Sequence, residues 1–413
     1  MAGAATSSDA PPRKRRQAIV FVPGMGDTWV NQSISTVGRK LASALDNEAA
    51  TSSATFDVEI WEENYGPNDS LIAPGCTIHR KDGERESALI DVYRLDSVRE
   101  LRAGWDNRSL LVKTLLPLYL LFAYTRVALR RNKQKGKSFR ERFQFFYAVA
   151  VGLSLSLYIG LVTYSILALL VPAPALNGLA ERVPAGVTLA LTIVGLKKAD
   201  FVAQATSGAT GYIAVMRYFR YGANRENLVG NLARLIQHVQ ERKDVEYERI
   251  DIVAYSFGTI VSLDALFPPP NRDVGTFKSV GQLVTIGCPF DFTRTYWPNY
   301  FADRLRPADY GRPAPLPWLN IYLPIDILSS NFSDSPTATD PEVGIPTRTG
   351  DGQKPTNLIY AEPSTREKLG LTDFLVLMGL QSHDFYWGSA QSSELGVFPQ
   401  IVRRLYANQP ALA

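Results

Sequence analysis

The chain has 413 residues, 46% of them apolar and 20% charged, a balance that excludes a disordered chain and allows a sizeable core. Its two cysteines, Cys76 and Cys288, exclude a disulfide scaffold and a thiolate-rich zinc site, and its three histidines leave little room for a His-based metal cluster. The net charge of +4 is concentrated between Arg126 and Arg142, where eight basic side chains accompany one acid, Glu141.

Residues 1–16 are rich in Ala, Ser and Pro and end in Arg13-Lys14-Arg15-Arg16, which reads as a flexible basic tail. The apolar stretch that follows is too short for the hydrophobic region of a secretory signal. Ala18–Val22 is a β-branched run stopped by Pro23-Gly24, the pattern of a buried parallel strand. Residues 31–45 suit a helix, and Phe56–Trp61 alternates like a second strand. His79, beside Arg80, Lys81 and Asp82, reads as part of a charged surface loop.

The middle of the chain has a different character. Residues 110–129 are mostly apolar, interrupted by Lys113, Pro117 and Arg126. From Phe143 to Ala180 no Asp, Glu, Lys or Arg occurs. As a helix, Phe143–Val171 would be about 43 Å long, more than a hydrocarbon core of ~30 Å requires. Pro172 and Pro174 would end it. The basic run lies between hydrophobic segments, which favours anionic lipid headgroups over nucleic acid as its partner. The expectation is therefore a hydrophobic helical insertion over residues 109–205, either a membrane hairpin or a lid.

The strand-helix alternation then resumes. Asn227–Arg242 is an amphipathic helix with Leu228, Leu232, Leu235, Ile236 and Val239 on one side. Arg249–Ala254 reads as a strand, Phe257–Phe267 as a helix, and Leu283–Ile286 and Leu319–Leu323 as strands. Residues 333–357 read as a long loop, and Leu358–Ala361 as a last strand. Alternation on both sides of the insertion predicts one mostly parallel α/β sheet flanked by helices, with residues 17–108 and 206–408 as two parts of one domain. Both parts then lie on one side of any membrane, with the cytoplasmic side preferred.

The sharpest chemical signal is Ala254-Tyr-Ser-Phe-Gly258, where a strand runs through Ser256 straight into a helix. A nucleophile on so sharp a turn needs small residues two before and two after it, because the backbones close in there. The helix N-terminus beneath it offers free N–H groups to a developing oxyanion. Pro23-Gly-Met-Gly26 after the first strand brings a second N–H, that of Met25, to join the N–H of Phe257. A serine nucleophile needs a base, and the three candidates are His79, His238 and His383. His238 reads as a solvated helix residue. His383, in Gln381-Ser-His-Asp-Phe-Tyr-Trp387, fits the chain order Ser, acid, His. Asp326, just after a strand that ends at Pro324, fits the acid, with Asp291, Asp340, Asp351 and Asp373 as rivals.

With Val22-Pro-Gly-Met-Gly26, Ala254-Tyr-Ser-Phe-Gly258, Thr285-Ile-Gly-Cys-Pro289, Trp318–Tyr322 with Asp326, and His383 with Tyr386-Trp387, the chain resembles the α/β-hydrolase family, in particular its lipase-like serine hydrolases. Pro23 stands where the family's usual His precedes the first Gly, and Ala254 replaces the first Gly of the elbow. The resemblance implies a Ser256–His383–Asp326 triad, an oxyanion hole from Met25 and Phe257, and hydrolysis of acyl esters without cofactor or metal. The insertion adds membrane association and a lipid substrate. Two alternatives stand beside this: a catalytically inactive membrane-anchored interaction module, and an acyltransferase that uses the same triad.

Overall fold

The computed structural model describes residues 16–24, 33–49, 54–96, 215–270 without 216 and 221, 275–305 without 298, 315–333 without 325 and 327, 340–345, 353–360, 382–388 and 395–406. Met25, the 109–205 insertion, Asp351 and Asp373 lie outside the described residues.

The described chain is a mixed α/β unit built on one eight-stranded sheet. In chain order its elements are β1 (Arg16–Val22), α1 (Ile34–Glu48), β2 (Thr55–Tyr65), β3 (Leu71–Asp82), β4 (Arg85–Arg94), α2 (Gly222–Glu241), β5 (Tyr247–Tyr255) and α3 (Phe257–Leu266). They continue with β6 (Val280–Ile286), α4 (Phe290–Tyr296), β7 (Trp318–Tyr322), β8 (Thr356–Ile359) and α5 (Phe398–Tyr406). The strand order is β2-β3-β4-β1-β5-β6-β7-β8. Only β3 runs against the rest: it pairs antiparallel with β2 and β4, and the pairings from β4 through β8 are parallel. Strands from both sides of the insertion meet at the centre, where β1 lies between β4 and β5.

Both faces of the sheet are covered, which explains the continuous apolar runs in its central strands. Ala18, Val20 and Val22 point into one core with Leu228, Leu232 and Leu235 of α2 and Ile260 of α3. Ile19 and Phe21 point into the other, with Val37 and Leu41 of α1 and Ile401 of α5. The apolar side expected of α2 is buried in full, from Leu228 to Val239.

Several expectations need correcting. Arg16 belongs to β1 rather than to a tail, because its guanidinium bonds the buried Asp91 carboxylate at 3.4 Å. The first helix begins at Ile34, not 31, because Ser33 caps it: the Ser33 hydroxyl accepts the Thr36 N–H. His79 sits in β3, not in a loop, facing Glu59 of β2 at 3.1 Å and Glu86 of β4 at 3.4 Å. The β3–β4 hairpin turns at Gly83, whose φ of 61° suits a two-residue connection. His238 is half-buried against Glu63 rather than solvated.

Helix α3 is buried at every one of its positions. It carries one charge, Asp264, which pairs with Arg304 at 2.9 Å where both side chains are almost fully enclosed. Tyr218 and Tyr300 also donate their hydroxyls to Asp264, and Arg304 donates to the carbonyls of Phe267 and Tyr300. A buried pair of this kind contributes little when whole, but removing one partner strands the other in a low-dielectric interior. Asp264→Ala is therefore expected to lower the free energy of urea unfolding by about 3–5 kcal/mol. A loss below ~1 kcal/mol would show that Arg304 finds another partner or water.

Candidate active site

The site forms where β1, β5, β6 and β7 end. β5 stops at Tyr255, and Ser256 follows with φ 52° and ψ −125°, a left-handed conformation rare for a residue with a side chain. Such backbone strain costs on the order of 1–3 kcal/mol and persists only where the surroundings enforce it. Here they do. A Cβ on Gly258 would lie 2.3 Å from the Val22 carbonyl oxygen and 2.5 Å from that of Pro23, so the first turn of α3 sits directly on the end of β1. The Ser256 N–H is held by the Ile286 carbonyl at 2.8 Å. Ser256 is partly exposed while residues 250–255 before it and 257–266 after it are buried.

Gly24, at the exit of β1, approaches the serine closely. A Cβ there would fall 2.9 Å from Ser256 Cβ and 3.4 Å from its Oγ. Met25, expected to supply a second N–H, follows Gly24 in the chain and lies outside the described residues. Phe257 is the first residue of α3, so its N–H has no partner within the helix. Its ring is anchored edge-on against Tyr218, with centroids 4.9 Å apart.

Ser256, His383 and Asp326 come together although they stand 127 and 57 residues apart in sequence. His383 Nε2 lies 2.7 Å from Ser256 Oγ, and His383 Nδ1 lies 2.7 Å from Asp326 Oδ2. An ionised carboxylate only accepts, so Nδ1 carries the proton and Nε2 presents its lone pair to the serine hydroxyl. The Leu328 N–H donates to Asp326 Oδ1 at 2.9 Å, and Tyr386 donates its hydroxyl to Oδ2 at 3.0 Å. Asp326 comes after β7 in the chain, but the strand ends at Tyr322 rather than at Pro324, so a short connection separates the two. Among its rivals, Asp291 lies in the first turn of α4 with its N–H on Ser330, and Asp340 is exposed.

The imidazole is packed as tightly as it is bonded. His383 and Tyr386 lie in a 3-10 turn, Ser382–Trp387, where residues three apart share a face. Tyr255 stacks on the ring at 5.1 Å and 26°, and its hydroxyl donates to the His383 carbonyl at 2.6 Å. Sequence reasoning assigned no task to Tyr255, Tyr386 or Asp384. The one signal for Tyr386 is its spacing of three from His383, which has meaning only once the 3-10 turn is known.

Burial works against a charged imidazole, but the charge and hydrogen bond of Asp326, with the charge of Asp384, outweigh it and raise the His383 pKa above its ordinary 6.5. Asp384 is itself pushed up to about 6 by burial, against the pull of His383. Both thiols are pushed up to about 12 by burial and are poor nucleophiles. Among the described residues no group of three or more His, Cys, Asp or Glu side chains is placed to hold a metal, and no helix is long and apolar enough to cross a membrane.

No family model matches the chain, and neither a curated protein nor a solved structure matches it. The functional reading therefore rests on the site and on the sequence itself.

The two opposing influences on His383 can be separated. By NMR its ring protons should titrate with a midpoint above 6.5 in the native chain, and below 6.5 in Asp326→Asn, where burial is no longer opposed by that carboxylate. An unchanged midpoint in the variant would mean that Asp326 does not govern the imidazole.

Proposed function

We propose that the chain is a serine hydrolase of the α/β-hydrolase type that cleaves acyl esters through a covalent acyl-enzyme. The observation that carries this reading is the unbroken hydrogen-bonded line from Asp326 through His383 to a strained, partly exposed Ser256. Nucleophile, base and orienting acid at these distances form the arrangement that makes a serine hydroxyl reactive.

Each residue has one task. Ser256 Oγ attacks the acyl carbon as His383 Nε2 takes its proton. The carbonyl oxygen becomes an oxyanion and receives the Phe257 N–H at the positive end of α3, with the N–H of Met25, next in the chain after Gly24, as the proposed second donor. Asp326 holds the imidazole in place and balances its charge. When the tetrahedral adduct collapses, His383 returns the proton to the leaving alkoxide. A water then attacks the acyl-enzyme, His383 again serving as base, and releases the acid and free Ser256.

The lipid character of the substrate rests on the 109–205 segment: an uncharged stretch of 38 residues, Phe143–Ala180, beside a basic run would hold the site at an anionic bilayer. Hydrolysis of p-nitrophenyl esters tests the chemistry independently of the lipid. Ser256→Ala, correctly folded, should lose on the order of 10⁴–10⁶-fold in kcat. Asp326→Asn should lose on the order of 10³–10⁴-fold, because the imidazole tautomer is no longer fixed. Asp291→Asn should stay within about threefold of the parent, since Asp291 lies in α4 with its N–H bonded to Ser330. Near-parental turnover by folded Ser256→Ala would remove the assignment.

A further inference from the structure

Tyr386 has no part in the reaction as described above, yet it is placed within the triad. Its side chain is fully enclosed. The hydroxyl donates to Asp326 Oδ2 at 3.0 Å, the same oxygen that accepts His383 Nδ1–H at 2.7 Å. The Leu323 N–H donates to the phenol oxygen at 2.8 Å, which leaves the phenol's own single proton for the carboxylate. The Leu323 carbonyl in turn accepts the Asp326 N–H at 3.0 Å and the Ser329 hydroxyl at 3.0 Å. The end of β7, the aspartate and the tyrosine are thus joined in one hydrogen-bond network.

We propose that Tyr386 is a positioning residue of the triad: its phenol proton fixes the Asp326 carboxylate and shares the charge on Oδ2 with His383, which tempers the basicity of the general base. This rests on the hydrolase reading and deepens it. Two physical consequences follow. Without the phenol proton a fully buried carboxylate loses one of the donors that the described residues bring to it and is less firmly aimed at Nδ1. In addition, the hydroxyl dipole presents its positive end beside the imidazole, so it opposes the imidazolium; its removal favours the charged ring.

Other groups also face the imidazole among the described residues. Asp384 shares the turn with His383, Tyr255 of β5 stacks on the ring, and Ser256 faces Nε2. From the end of β6, Gly287 comes against the ring and brings no charge. Asp384, at about 6, titrates in the same range, but it is common to parent and variant, so the difference between the two isolates Tyr386.

The test compares the full chain, Tyr386→Phe, and the chain with 3-fluorotyrosine at position 386, each in p-nitrophenyl ester hydrolysis across the acid-to-neutral range. Tyr386→Phe should lower kcat about 5–50-fold with KM within about twofold, and raise the midpoint of the acidic limb by about 0.3–1 unit. The more acidic fluorophenol, a stronger donor of nearly the same shape, should move that midpoint downward. An acidic limb at the parental midpoint in both variants would overturn the proposal and leave Tyr386 a packing residue. If Tyr386→Phe fails to fold, the fluorotyrosine chain decides alone. If the parent hydrolyses no ester, the hydrolase reading fails separately; the His383 ring titration by NMR then still tests Tyr386, and an unshifted midpoint in the variants overturns it.

Discussion

Gly258 rests against the Val22 and Pro23 carbonyls with no room for a side chain, and the site depends on that contact. It lets the buried helix α3 start directly on top of β1, and the chain can pass from β5 into α3 only through a left-handed residue at Ser256. The strain at that turn costs on the order of 1–3 kcal/mol. Burial of the whole of α3 beneath α2 offsets it, since each fully enclosed Leu, Ile, Val or Phe contributes about 1.5–3 kcal/mol. The serine is therefore held up out of the sheet by packing beneath it, and its neighbours on both sides stay buried.

The second constraint is dryness. Asp326 and His383 are almost wholly enclosed, and an isolated charge there would be unfavourable by several kcal/mol. Donors placed around Asp326 by Leu328, Tyr386 and His383 make its ionised form tolerable, and the same carboxylate makes a protonated His383 tolerable in turn. Low dielectric strengthens each of these bonds and makes any missing one costly. At the other end of α3 the Asp264–Arg304 pair follows the same rule and ties the helix to the segment around Tyr300. Helix α3 is thus fixed at its start by backbone contact and toward its end by a buried ion pair.

Much of this was legible in the sequence, for identifiable reasons. β1 and β5 could be read because strands covered on both faces are continuously apolar, and Ser256 because a sharp strand-to-helix turn demands small residues at 254 and 258. Asp326 could be placed because it comes soon after a strand, between Ser256 and His383 in the chain. The β3–β4 hairpin could not be read in this way. Its end is charged, and Arg80, Lys81 and Asp82 pass for loop residues until cross-strand partners such as Asp57 and Glu86 account for them. The Asp82-Gly83 pair was the available turn signal. The places of Tyr386 and Tyr255 beside His383 and Asp326 were illegible because they are defined by a backbone carbonyl, a backbone N–H and a carboxylate that only the folded chain brings near.

The central claim is that Ser256 is a nucleophile made reactive by His383. The most direct measurement is mass mapping of the chain after reaction with a fluorophosphonate, which phosphonylates activated serines in preference to unactivated hydroxyls. The account predicts one adduct per chain, carried on the peptide that contains Ser256, and no adduct in His383→Ala. Absence of label from the folded parent chain, or label carried by another residue, would contradict it.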